Sequence, residues 1–385
     1  MSRKDPHSEE RLYMCTNHNS PFKNDVVGSF LRPEILKQAR QQYLAGSITA
    51  DQLKAVEDQE ITNLVAKQKE VGLQAVTDGE FRRSWWHLDF MWGLDGVEKA
   101  GVPQGYVFHG VESRPETARV SGKIGFSAHP FINDFKFLQD VAGEGAVARQ
   151  TIPAPAQLLL ELQRVENQEA LQQHYPNFDE LLHDIANAYQ GFIRAIYAAG
   201  CRSLQIDDCT WGMLCDESFI KAREAEGIFV GDIGKVYAEL NKHAVANMPE
   251  DLVITSHVCR GNYKSTWAGA GSYDPVASTL FSITDYDAFY LEFDTDRSGT
   301  FEPLKHVQGQ KIVLGLVSSK IGELEEKEAI IARIHEAAQY VPLDQLFLSP
   351  QCGFASTEEG NIITEEQQWN KLKFIKEISE EVWGK

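Results

Sequence analysis

His257 and Cys259 stand two positions apart in His257-Val258-Cys259, just past the apolar run Leu252-Val253-Ile254-Thr255. Extended backbone projects residues i and i+2 to one side. An imidazole nitrogen and a sulfur placed so suit one tetrahedral zinc ion. Taken alone, the triplet is a weak signal, and its plainer reading is a core histidine beside a small buried thiol; its place at the end of a strand is what favours a metal site. Two further residues can complete a ligand set: Glu292 ends the run Phe289-Tyr290-Leu291, and Cys352 follows Leu346-Phe347-Leu348 in Ser349-Pro350-Gln351-Cys352-Gly353. Other runs end the same way. Ser29 follows Asp25-Val26-Val27-Gly28, Asp78-Gly79-Glu80 follows Leu73-Gln74-Ala75-Val76, and Asp207-Asp208 follows Leu204-Gln205-Ile206. Any one polar loop residue is unremarkable; their recurrence at the same end of successive runs marks a site.

The elements that must position these groups follow from the spacing. Two more apolar runs, over 146–150 and 312–316, bring the total to eight. Helical patterns lie between most of them, over 49–71, 178–199, 325–340 and 365–383. The first opens on Thr49 as N-cap and stops at Gly72; the second stops at Gly200; the third ends before Pro342. Alternating strand and helix implies parallel strands, because parallel neighbours need crossover connections. Eight such units predict an α/β fold of the closed (β/α)8 TIM-barrel type, in which reacting groups sit beyond the C-terminal ends of the strands. Residues 1–23 read as a polar arm and 24–385 as a single barrel domain. Within it, extended runs at 106–111 and 118–121 around Arg114-Pro115-Glu116 predict a β-hairpin insertion over about 105–126.

Composition removes other classes. The 385 residues carry 37 Lys+Arg against 56 Asp+Glu, a net charge of −19. Nucleic acid and anionic membrane surfaces call for a basic footprint, so neither is expected as a partner. Hydrophobic content of 43% with 24% charged excludes wholesale disorder. No apolar run is long enough for a spanning helix, and residues 1–10 lack the apolar centre of a signal peptide. Six cysteines in a chain this long are too sparse for a disulfide scaffold, so a cytoplasmic setting is expected. Cys201 reads as core, Cys209 and Cys215 as packing residues near the site, and nothing marks Cys15.

At this point the motifs resemble a family. Val27-Gly28-Ser29-Phe30, Asp78-Gly79-Glu80-Phe81-Arg82, Gln205-Ile206-Asp207-Asp208, His257-Val258-Cys259, Leu291-Glu292 and Ser349-Pro350-Gln351-Cys352-Gly353 are similar, in order and register, to the C-terminal catalytic barrel of cobalamin-independent methionine synthase. The resemblance is closer still to the short single-barrel members and spans about residues 24–355. It implies zinc-dependent transfer of a methyl group to the sulfur of homocysteine. It also implies zinc ligands at His257, Cys259, Glu292 and Cys352, and homocysteine contacts at Ser29, Glu80 and Asp207. The chemistry is coherent: a free thiol has a pKa of about 8.5, only its thiolate is nucleophilic, and a coordinating cation removes the proton. Four protein ligands form a closed site, so Glu292 is expected to be the ligand that yields to substrate sulfur. Glu80 and Asp207 match the substrate ammonium and Ser29 its carboxylate.

Plainer roles compete for several of these residues. Glu80 can hold a salt bridge to Arg82 or Arg83, Asp208 can cap the following helix, and Trp85, Trp86 and His87 either wall the methyl donor or pack a loop. Two features of the folate-using enzymes are also missing. Val317 stands where the resemblance calls for an acid histidine after the seventh strand. Thr151-Ile152-Pro153-Ala154-Pro155-Ala156 offers no tryptophan after the third. The methyl donor is therefore open: methyltetrahydrofolate, a sulfonium, or a methylated corrinoid on a partner protein. The alternatives to homocysteine methylation are another zinc-thiolate enzyme of this barrel, opening an epoxide with a thiol cofactor, and a non-enzymatic zinc-binding barrel.

Overall fold

Short apolar segments that must be covered on both faces arrange themselves as adjacent parallel strands under helices. The computed structural model describes residues 20–227 and 232–384; most of the predicted arm, with Cys15, lies outside them. Seven parallel strands curl into one sheet: β1 (Ala75–Val76), β6 (Val147–Pro153), β7 (Ser203–Asp208), β8 (Val253–Val258), β9 (Ala288–Glu292), β10 (Lys311–Val317) and β11 (Leu346–Pro350), hydrogen-bonded in that order. Helices follow the expected periods. Ala50–Glu70 and Glu365–Trp383 each open with a capping box, Thr49 with Gln52 and Thr364 with Gln367. The amphipathic Phe178–Ala198 buries Leu181, Ile185, Tyr189, Phe192 and Ile196.

Strand alternation divides the core in two. Phe289 and Leu291 of β9 join the main cluster beneath the helices, whereas Tyr290 packs with Val27, Val313 and Phe347 in a separate group. Those four come from four neighbouring segments around the sheet and fill the inside of the barrel.

The eighth segment differs from expectation. Residues 25–28 form no strand ladder; a single parallel bridge joins Asn24 to Leu348 on β11. On the β1 side the contacts are Thr77 Oγ1 donating to the Gly28 carbonyl at 2.5 Å and the Phe30 N–H donating to Gly79 at 3.2 Å. Gly28 explains the irregularity. Its φ of +147° suits glycine, and a Cβ there would meet Thr151 Cγ2 at 2.8 Å. Side chains close the gap instead. Asp25 takes a bidentate pair from Arg149 on β6 (2.8 and 2.9 Å) and a hydrogen bond from the Tyr290 hydroxyl (2.9 Å), all buried. Removing one partner of such a pair strands the other charge. Asp25→Ala is expected to cost roughly 3–5 kcal/mol, read as a lower midpoint of urea unfolding; an unchanged midpoint would mean the clasp is dispensable.

The insertion also differs from expectation. It begins at β2 (Asp95–Gly101), which pairs antiparallel with β5 (Glu116–Gly125). The run at 106–111 folds on itself as β3 (Val107–Phe108) and β4 (Val111–Glu112). The two runs read as one hairpin therefore do not pair with each other. The partner of β5 was obscured because β2 carries Gly96 and Gly101 and shows little apolar alternation.

Candidate metal and substrate site

The register of the sheet puts the polar strand ends side by side. His257 lies opposite Tyr290, and Gly315 of β10 lies opposite both Glu292 of β9 and Ser349 of β11. Ligand atoms of His257, Glu292 and Cys352 accordingly fall within 4.8 Å of one another. Cys259 Sγ is 3.7 Å from Cys352 Sγ. All four side chains are buried. Two sulfurs, an imidazole and a carboxylate form a donor set of the kind zinc takes, so the residues present fit the ion that the motifs suggest.

The candidate ligands have polar neighbours. His257 Nδ1 is 3.2 Å from Asp207 Oδ1, and Nε2 is 3.1 Å from the Gln351 carbonyl and 4.0 Å from Glu292 Oε1. A carboxylate behind a ligating histidine fixes the ring and leaves the other nitrogen for a metal. Burial opposes charge on this imidazole, but the Asp207 hydrogen bond and the neighbouring Cys352, Asp207 and Glu292 raise it to about 9. The neighbouring Cys209 thiol and burial push Cys259 well up, against a lowering contact with Cys352, and Cys259 and burial push Cys352 well up, so without a cation both keep their protons. Glu292 moves the other way. Burial would raise it, yet Lys320, Arg297, His257 and Arg260 together hold it below the usual carboxylate range.

The three residues expected to bind substrate converge on the same place. Ser29, Glu80 and Asp207 line one small pocket of about 20 Å³ together with His257, Cys259 and Cys352. Ser29 arrives there because Gly353 has no side chain: a Cβ at that position would lie 1.9 Å from Ser29 Oγ. Ser29 Oγ accepts from the Ala355 N–H at 3.3 Å. Glu80 sits at a φ of +61°, held with one oxygen on Thr151 Oγ1 (3.0 Å) and Arg83 (3.3 Å). Its other oxygen is buried and has no partner among the described residues. Burial, opposed by Arg83 and Arg32, raises its carboxyl to about 6. The Arg83 salt bridge engages one oxygen and leaves the other as an available acceptor. Asp208, by contrast, caps the helix Cys209–Leu214 through the Thr210 N–H at 2.9 Å, the plain structural role.

A cavity of about 480 Å³ adjoins the pocket and shares Trp86, Cys259 and Ser356 with it. Tyr106, Val107 and Phe108 of the insertion form part of its wall. Trp85 is buried, donates from Nε1 to Glu116 at 2.7 Å and, with His87, also lines the cavity, while Trp86 lines both spaces. His87 is buried against the Tyr106 hydroxyl at 3.0 Å, and desolvation lowers it to about 3, keeping the ring neutral. For Cys209 the sequence favours packing but leaves open a place lining the site; it is half-buried and lines this cavity. Its position directly after β7 was the available signal. Val317 ends β10 and is buried; Lys320, also buried, is the first charged residue beyond it.

Fold and cluster together describe a TIM-type barrel with a thiol-rich group of candidate metal ligands at the C-terminal ends of its strands. Residues 165–370 match the family described as cobalamin-independent synthase, catalytic domain. The chain is 48% identical over 369 residues to the Bacillus subtilis protein YxjH, covering 94% of this chain and 95% of that one. A Listeria monocytogenes structure, provisionally named a vitamin-B12-independent methionine synthase, is 43% identical, with a TM-score of 0.76 over 96% of this chain and 100% of that one. A B12-independent methionine synthase from Shewanella sp. W3-18-1, solved with selenomethionine, shares the fold at 17% identity and a TM-score of 0.69, covering 94% of this chain and 98% of that one. The protein belongs to the cobalamin-independent methionine synthase family. Among its described residues, no helix is long and apolar enough to cross a membrane.

Proposed function

We propose that the protein is a cytoplasmic, zinc-dependent homocysteine S-methyltransferase that forms methionine. The observation that carries this reading is the meeting of two groups in one pocket: Ser29, Glu80 and Asp207 with His257, Cys259 and Cys352. Two acids suit the ammonium of an amino acid. The Ser29 hydroxyl suits its carboxylate. The cluster lies where the substrate thiol would then fall. When bound, zinc supplies the Lewis acidity that makes a thiol a thiolate at neutral pH. The chain's own residues fix the rest: Asp207 orients His257, Glu80 and Ser29 anchor the amino-acid end, and Trp86 separates pocket from cavity. The acids also argue against a sulfonate-bearing thiol cofactor, which would call for cations in their place. We assign the larger cavity to the methyl donor.

The test is direct. Zinc-loaded protein with homocysteine and a panel of methylated donors should yield methionine by mass spectrometry with at least one of them; no product from a folate, a sulfonium or a corrinoid protein would reject the reading. The pH dependence is also expected. Glu80 loses its charge as pH falls through about 6, so the homocysteine KM should rise on that limb. Glu80→Gln should raise KM by about 10- to 100-fold, the worth of one charge-assisted hydrogen bond, and flatten the limb. An unaltered profile would remove Glu80 from substrate contact.

A further inference from the structure

A buried ammonium without an acceptor is costly and calls for a reason. Lys320 is such a group. Its side chain is buried, and Nζ has no hydrogen-bond partner among the described residues. The loop that carries it is well fixed: the Lys320 N–H donates to Ser318 Oγ at 3.3 Å, and Ser319 Oγ donates to the Gly353 carbonyl at 2.9 Å, beside Cys352. Lys320 leaves β10 five residues beyond Gly315, the position paired with Glu292.

Glu292 faces two ways. Oε1 lies 4.0 Å from His257 Nε2 and accepts from the Arg260 N–H at 3.3 Å. Oε2 is 3.0 Å from Arg297 Nη2, and Arg297 is itself steadied by Asp294 at 2.8 Å. Against burial, Lys320 and Arg297 are both among the cations that hold the Glu292 carboxyl below the usual carboxylate range. One carboxylate therefore has Arg297 on one oxygen, the candidate metal cluster beside the other, and the unpartnered Lys320 charge acting on it. Two thiolates and a carboxylate around a divalent ion leave one negative charge. A substrate thiolate would add a second. Lys320 and Arg297 are placed to balance both.

We propose that Lys320, backed by Arg297, is the positioning residue that draws the Glu292 carboxylate away from the metal when substrate sulfur enters, and so sets how readily this ligand leaves. This rests on the reading of the pocket as a homocysteine site. The unpartnered Lys320 ammonium would attract the carboxylate that the metal also takes. Removing it should make Glu292 the better metal ligand and the worse leaving group.

The test uses zinc-loaded wild type, Lys320→Met, Lys320→Gln and Lys320→Arg. Zinc affinity is measured by chelator competition, and the ligand set by X-ray absorption with and without homocysteine. Wild type should gain one sulfur and lose one oxygen when homocysteine is added. Lys320→Met and Lys320→Gln should bind zinc about tenfold more tightly and keep the oxygen at homocysteine concentrations that convert wild type; Lys320→Arg should restore the exchange. A merely structural lysine would change thermal stability without moving the ligand set. If wild type exchanges and Lys320→Met exchanges equally, with unchanged zinc affinity, the inference falls and the homocysteine reading stands. If wild type shows no gain of sulfur, both fall.

Discussion

Cys352→Ser and His257→Ala are expected to lose metal and turnover together while the barrel stays folded. Apparent binding free energies of roughly 10–16 kcal/mol for four-ligand zinc sites make one ligand worth about 3–4 kcal/mol, so affinity should drop on the order of 10²–10³-fold. Both side chains are buried at the mouth, away from the clusters that hold the sheet to its helices. Serine replaces the Cys352 thiol nearly isosterically, and Asp207 keeps its Gln205 contact at 2.9 Å when the imidazole is gone. Metal content by mass spectrometry, circular dichroism and product formation decide the matter. A zinc-free variant with full turnover would end the proposed chemistry.

Asp207→Asn is the second large effect, and the geometry changes what to expect of it. From sequence, Asp207 is a substrate contact, so the amide should raise the homocysteine KM and leave zinc in place. In the structure the same carboxylate oxygen that accepts from Gln205 also faces His257 Nδ1 at 3.2 Å. An amide there can present N–H to a nitrogen that must itself donate. We therefore expect zinc affinity to fall about 10- to 100-fold, the usual effect of losing such a partner, along with the rise in KM. An unchanged zinc affinity would confine Asp207 to substrate; an unchanged KM would confine it to His257.

Much of this site could be read from sequence because parallel strands announce themselves. β7, β8 and β9 are buried along their whole length, so each appears as an apolar run whose end is an unmistakable polar residue. Knowing that barrels work at those ends drew attention to His257, Cys259, Glu292 and Cys352; Glu80 and Asp207 were singled out from their acidic neighbours by the resemblance to the methionine synthase barrel. What stayed hidden depended on contacts between distant segments. Nothing local tells that Asp207 would stand behind His257, or that Arg297 would reach Glu292. Lys320 reads as an ordinary loop lysine until its burial is seen. The first segment looked like a strand because Asp25-Val26-Val27 has strand composition, yet Gly28 and its close contact with Thr151 break the ladder. β2 was missed for the opposite reason, as its glycines and charges mask a strand that β5 completes.

The clasp of Asp25, Arg149 and Tyr290 carries one more consequence. A barrel wall stitched by side chains has few amide-to-carbonyl links to protect its protons, so residues 26–29 should exchange deuterium sooner than β11 beside them. Ser29 rides on that stave. The hand proposed to grip the amino acid's acid group is thus mounted on a plank held more by pegs than by glue.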